Sequence, residues 1–407
     1  MNVLDRFLSY VTVDTPSDPK SPTDPSTAIQ FDLAKKLEAE MKEMGIQNVR
    51  LSDTCYVYGE IPATPGYEDR PAVGFIAHMD TAPEFNGFGV KPQIVENYDG
   101  GDILLAGSGH VLSPEEYPHL LNHKGKTLVT TDGTTLLGGD DKAGIAEILA
   151  AAEELLKSGM PHGKVCIGFT PDEEIGRGPD NFDVEGFGAQ FAYTVDGGTP
   201  GEVSFENFNG AAAEIEINGV STHPGGGKNR MINSIMVAQE LNSMLPAWET
   251  PAHTEGREGY YHLNVLSGTT EHTHMEYILR DHDYSILEKR KEILRSAVEF
   301  INKRYGKELA TIKVEDQYRN MEEKIRPHMH LIDHAIAAAN ACGLEGKASG
   351  PVRGGTDGAT LSYKGLPCPN LGTGCENAHG RFEYAVVEDM EKCAQVVLKL
   401  IELYAQQ

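Results

Sequence analysis

The chain has 407 residues, 40% hydrophobic and 24% charged, the make-up of a globular protein too long for one ordinary core, so two domains are expected. Thirty-five basic residues stand against sixty-one acidic ones, a net charge of −26 that argues against nucleic acid or an anionic membrane surface as a partner. No stretch is apolar for long enough to span a bilayer, and the start, MNVLDRFLSY, lacks the basic-then-apolar pattern of a signal peptide, so a cytoplasmic location is expected.

The first biased tract is Pro-rich, residues 15–25, and reads as an ordered surface loop because helical patterns flank it closely. PAVGFIAHMD, 71–80, is an apolar run that turns polar only at its end, as a buried strand of a parallel sheet does. Period-two alternation points His78 and Asp80 the same way, so one can ligate a metal while the other orients the ring. Next, Gly138 and Gly139 make a turn, and Asp140 and Asp141 precede a helix carrying Ile145, Ile148, Leu149, Ala152, Leu155 and Leu156 at helical spacing, stopped by Gly159 and Pro161. VCIGFTPDEEIG, 165–176, is a second buried strand, opening into Asp172, Glu173 and Glu174. FAYTVDGG, 191–198, is a third, opening into Asp196. Strand, turn, helix, strand implies a right-handed crossover and a parallel sheet, with ligands outside the carboxyl ends of its strands.

Near 208 the pattern changes. Strand at 211–219, helix at 229–245, strands at 260–266 and 275–280, helix at 286–305 and strand at 310–315 give the βαββαβ order of a ferredoxin-like domain. After 320 the chain returns to the first domain, with helices at 328–341 and 386–406, the latter carrying Met390, Cys393, Val397, Leu400 and Ile401 on one face. The expected borders are 1–207 and 320–407 for a catalytic domain, with 208–319 inserted as a lid and dimerisation domain. The six cysteines have no CxxC spacing and read as free thiols, with Cys166 and Cys393 buried.

His78, Asp80, Asp140, Glu173, Glu174, Asp196 and His379 all fall at strand ends or in Gly-rich turns. Five acidic side chains converging on one sheet edge repel unless cations sit among them. Two divalent ions supply that charge, and imidazole plus carboxylate without Cys is the donor set of a catalytic, not structural, zinc site. In so oxygen-rich a shell, manganese or cobalt are the other ions to consider.

HMDT at 78, GGDDKAGIA at 138, TPDEEIG at 170, VDGG at 195, THPG at 222, RGGTDG at 353 and NAHG at 377 resemble, in order and spacing, the motifs of the dizinc exopeptidase and deacylase family that includes acetylornithine deacetylase, aminoacylase and the glutamate carboxypeptidases. The resemblance covers nearly the whole chain and is strongest to the family's tripeptide aminopeptidases. It implies an α/β catalytic domain on a mostly parallel sheet with an inserted ferredoxin-like α+β lid. It implies that His78 and Asp196 hold one zinc, Glu174 and His379 the other, and Asp140 bridges both through a residue pair, Asp140-Asp141, joined by a cis peptide. Asp80 would orient His78 and Glu173 would be the general base. His223 is expected to contact an oxyanion or carboxylate of the substrate, Arg280 the peptide carboxylate, and Arg353 the substrate through its flexible glycines.

The expected activity is therefore a metal-dependent aminopeptidase that releases the N-terminal residue of tripeptides. Its expected partners are a short peptide and a second copy bound through the lid domain. Two alternatives remain open: a dizinc N-acyl-amino-acid deacylase or dipeptidase, separated by whether a free amine is recognised, and a metal-binding protein without activity, disfavoured by the non-ligating Glu173.

Overall fold

Apolar runs form the centre of the molecule's larger sheet. Val73–His78 and Val165–Thr170 are buried along their whole length, and Phe191–Gly197 is buried from Ala192 to Val195. The structure is a computed structural model describing residues 1–406. In it the sheet has eight strands in the order Gln47–Leu51, Val57–Ile61, Val165–Thr170, Val73–His78, Phe191–Gly197, Asn370–Gly372, Glu202–Ser204, Lys347–Ala348. The four strands from Val165–Thr170 to Asn370–Gly372 run parallel, and antiparallel pairs extend the sheet beyond both ends of that block. The parallel centre explains why the runs are continuously apolar: helices cover both faces.

The crossover from Val73–His78 to its parallel neighbour Val165–Thr170 passes through the helix Gly139–Ser158, buried over most of its surface between the sheet and the helices Val3–Val11 and Val387–Ala405. Its start fits tightly against a strand. A Cβ on Gly144 would lie 1.9 Å from the Val195 carbonyl oxygen, so only glycine lets the helix approach the strand that ends in Asp196. The Pro-rich segment differs from expectation in being more than a surface loop: Thr15, Pro16, Ser17, Pro25 and Ser26 are buried, Pro16 bridges to Thr81, and Ser26 donates to Asp172. All cysteines are free thiols; Cys166 and Cys393 are buried.

The chain divides into two compact units. One comprises Met1–Phe205, Glu323–Ser349 and the residues from Thr356 on. The other comprises Glu206–Glu322 and Gly350–Gly355. Those last six residues lie in the span the sequence assigned to the first domain. They join the second because Val352 exchanges backbone hydrogen bonds with Glu206 and Phe208, each 2.9 Å long.

Within the second unit, Asn209–Asn218, Tyr260–Gly268, His272–Asp281 and Ala310–Tyr318 form an antiparallel sheet. With the helices Ser234–Ser243 and Tyr284–Tyr305 between them, the order is the ferredoxin-like one. Burial alternates strictly along His272–Asp281: Thr273, Met275, Tyr277, Leu279 and Asp281 are buried, and the intervening residues are not. Among the described residues no helix is long and apolar enough to cross a membrane.

Candidate metal centre

The two parallel strands and the helix start converge on His78. It is almost fully buried, and its Nε2 lies 2.9 Å from Asp140 Oδ1 and 3.6 Å from Asp196 Oδ1. The other oxygen of Asp140 lies 3.4 Å from Nε2 of His379, which is 2.9 Å from Glu174 Oε2. Asp140 thus presents one oxygen to each of two imidazoles, the disposition a bridging carboxylate needs. The Asp140-Asp141 peptide bond is cis. Ligand atoms of His78, Asp140 and Glu174 lie within 4.8 Å of one another, as do those of His78, Asp141 and Asp196.

Asp80 sits behind the ring. His78 Nδ1 is 3.1 Å from the Asp80 carbonyl and 3.3 Å from its carboxylate, which also accepts from the Glu173 and Glu174 amides at 2.9 and 3.2 Å. One buried carboxylate therefore fixes both the imidazole and the turn that carries the next two acids. Among the described residues, the Glu173 carboxylate accepts no hydrogen bond, while its backbone is pinned. It is a free base on a rigid mount.

The electrostatics are those of crowded buried acids. Burial and then the charge of Asp140 push Glu174 up to about 8, and burial pushes Asp196 up to about 6 against the charge of His78. Burial and then the charge of Asp196 raise Glu173 well above the usual carboxylate range. Hydrogen bonds donated to the Asp140 and Glu174 carboxylates carry His379 up to about 11. Carboxylates reluctant to ionise and imidazoles reluctant to lose a proton are what an acid-rich cluster shows when only its own protons balance its charge. Glu174 Oε1 is, in addition, buried without a hydrogen-bond partner. The donor set of oxygens and imidazole nitrogens fits two divalent cations.

Three groups in this centre escaped the sequence. Glu383 is buried and accepts from the amides of Leu137, Gly138 and Asp140 at 2.8, 2.9 and 3.0 Å, holding the turn that presents Asp140. Asp141 accepts from the His78 amide at 3.2 Å, tying the helix start to the strand end. Buried Asp357 accepts from Thr170 at 2.8 Å at the end of the neighbouring strand. One expectation is corrected. Asp172, grouped with Glu173 and Glu174 as a carboxylate delivered to the same edge, adopts a left-handed backbone and turns away to accept from Ser26 and Gln30. It anchors the Pro-rich segment.

The expected substrate residues lie in the second unit. His223 is exposed, and its Nδ1 accepts from the Gly225 amide at 3.2 Å. Arg280 lies on the sheet face opposite the helices, over the Tyr318 ring, and donates through Nη1 to the Leu279 and Ala211 carbonyls. Arg353 donates to the Gly256 carbonyl and Thr254 hydroxyl and covers Phe208 and Tyr260. Its guanidinium is engaged in packing this unit.

Residues 129–403 match the model of peptidase family M20/M25/M40. The chain is 53% identical to a protein named Peptidase T from Desulfitobacterium hafniense, with 100% of this chain and 99% of the relative covered, and 52% identical to a Peptidase T from Halothermothrix orenii, with 99% of each covered. Among solved structures, an aminopeptidase PepT from Bacillus cereus aligns over 100% of this chain and 98% of its own at a TM-score of 0.78 and 23% identity. A Bacillus subtilis protein described as a dinuclear metal binding peptidase aligns over 100% and 99% at 0.65 and 17%. At these identities the solved structures speak for the fold.

Proposed function

The chain belongs to peptidase family M20/M25/M40, and from that premise we propose that it is a metal-dependent aminopeptidase releasing the N-terminal residue of tripeptides, a reading supported by its likeness to proteins named Peptidase T. The observation that carries it is Asp140, with one carboxylate oxygen toward each of two imidazoles, next to Glu173, whose carboxylate accepts no hydrogen bond among the described residues. In this reading His78 and Asp196 hold one ion, Glu174 and His379 the other, and Asp140 is shared. Zinc is the proposed metal, with manganese or cobalt compatible with the oxygen-rich donor set. Bound there, two ions would supply a water of lowered pKa and polarise the scissile carbonyl.

The protein's own groups do the rest. Glu173 accepts the proton of the attacking water at its unengaged carboxylate and passes it to the departing amine nitrogen. Asp80 keeps the His78 ring and the Glu173 backbone in register. Arg280 is the proposed partner of the peptide carboxylate, having donors beyond Nη1 left over, and His223 the proposed contact for an oxyanion or carboxylate. Arg353 has less support for a substrate role because its nitrogens are engaged.

A cytoplasmic location, supported by a full set of free thiols, belongs to the proposal. So does a homodimer through the second unit. Its helix Tyr284–Tyr305 exposes Ile286, Ile293 and Phe300 at seven-residue spacing.

Incubation with matched di-, tri- and tetrapeptides and an N-acetylated tripeptide tests the activity. Release of the first residue from the free tripeptide, with the acetylated one resistant, is expected. Cleavage of the acetylated peptide would favour the deacylase alternative.

A further inference from the structure

Beside the metal centre, and wholly within the first unit, lies a cavity of about 580 Å³ with Asp140 and Asp196 on one wall. The remaining lining is mixed: His119, Asn122, Thr373, Glu376 and Asn377 supply polar side chains beside Gly197 to Thr199, Cys375 and Ala378, and no large aliphatic side chain contributes. Glu376 is the one lining carboxylate outside the acid cluster. It belongs to the short strand Cys375–Glu376, whose Cys375 packs beside Gly139.

The carboxylate is built into place. His123, buried, lies with Nε2 3.0 Å from Oε1, and the Tyr384 hydroxyl donates to Oε2 at 2.5 Å. His119 Nε2 stands 3.3 Å from the same Oε2 and 3.1 Å from Asn377 Oδ1. Behind them His123 Nδ1 is 3.5 Å from Asp389, long for a hydrogen bond, and Lys126 holds that acid with two 2.7 Å contacts. A carboxylate has about four lone-pair sites, and these three donors leave Glu376 able to accept one more. Burial opposes its ionisation, but the bonds from His123 and Tyr384 prevail and keep it below the usual carboxylate range.

We propose that this cavity receives the side chain of the substrate's N-terminal residue, and that Glu376 makes it select side chains ending in a cationic donor, lysine or arginine, over apolar ones of equal length. The inference rests on the aminopeptidase reading, which places a single residue on the acyl side of the scissile bond. A half-buried, ionised acceptor with a vacant lone pair rewards a charged donor with a charge-assisted hydrogen bond that a hydrocarbon chain of the same length cannot make.

The test compares kcat/KM for Lys-Gly-Gly and norleucine-Gly-Gly, which differ by the charged terminus, in wild-type enzyme and Glu376→Gln, both metal-loaded. The same comparison is made for Gly-Lys-Gly and Gly-norleucine-Gly. Wild type should favour lysine at the first position by at least ~10-fold, and Glu376→Gln should reduce that ratio below ~3-fold, in line with the worth of a hydrogen bond between charged groups. The second-position ratio should be the same in both proteins. A purely structural Glu376 would lower both substrates together and leave the ratio where it was. A wild-type ratio near one, or a ratio untouched by Glu376→Gln, overturns the assignment. If Glu376→Gln loses its fold or metals, Glu376→Asp decides: drawing the charge back by one methylene should give an intermediate ratio, and an unchanged one overturns the proposal. Product identity separates the two levels, since release of anything but the first residue from wild type defeats the aminopeptidase reading itself.

Discussion

Two neighbouring glutamates at the end of one strand have opposite fates in this centre. Glu174 points its carboxylate at His379, 2.9 Å away, while Glu173 faces the site with no partner. The difference is set by their shared mount, since both amides are held by Asp80 and the turn aims successive side chains in different directions. Glu173→Gln keeps the shape and removes the base, so turnover on a tripeptide should fall by at least ~10² while two bound ions and the melting temperature are retained. Steady-state kinetics alongside elemental analysis checks this, and near-normal turnover would remove the base assignment. Glu383 and Asp172 show the limit of reading residues one at a time. Glu383 is a lone acid in GRFEY whose three amide partners lie 243 to 246 positions earlier, and nothing local marks it as the clamp of the Asp140 turn. Asp172 stands beside two site acids in sequence, yet its left-handed backbone sends it to the opposite side.

At the scale of elements, the strands that carry the site were legible because burial on both faces forces continuous apolar runs, and each run ends where the polar site begins. The inserted βαββαβ unit was legible for the complementary reason, a period of two along Asn209–Asn218 and His272–Asp281 set against helical spacing between them. The segment between Thr81 and Leu128 was not. It is built of two- to four-residue strands, turns and the six-residue 3-10 helix Pro118–His123, too short for any period to establish itself, although it brings His119 to the cavity and His123 to Glu376. His123 also gives this segment a pH signature. Burial lowers its pKa, but the Asp389 carboxylate 3.5 Å from Nδ1 and the hydrogen bond that Nε2 donates to Glu376 overcome that and carry it up to about 9. A raised histidine contributes stability in full below its unfolded value near 6.5, and that contribution is lost as pH rises through 9. His123→Asn should therefore melt well below wild type at pH 6, with the gap narrowing steadily toward pH 9.5. A gap constant across that range would show that the imidazole stays neutral in the folded protein.

For the whole molecule, the proposed second copy follows from a row of exposed apolar residues on the long helix Tyr284–Tyr305. Ile286, Ile293 and Phe300 are 41%, 44% and 52% exposed, a row a solitary domain has no reason to keep at a fixed spacing of seven. Light scattering should give twice the chain mass at micromolar protein, and Ile293→Glu, placed at the centre of the row, should give the single-chain mass without loss of fold. A single-chain mass for the wild type would dismiss the homodimer.

The central claim is that one bridging carboxylate, Asp140, organises two ions for the removal of an N-terminal residue, and it is tested most directly by restoring metal to chelated protein while following tripeptide hydrolysis. Zinc, manganese or cobalt is titrated into the chelator-treated enzyme, and the released amino acid is identified at each step. Activity reaching its maximum at about two equivalents per chain, with the first residue and the remaining dipeptide as products, is expected for a two-ion site. Full activity at one equivalent, or release of the C-terminal residue, would contradict it.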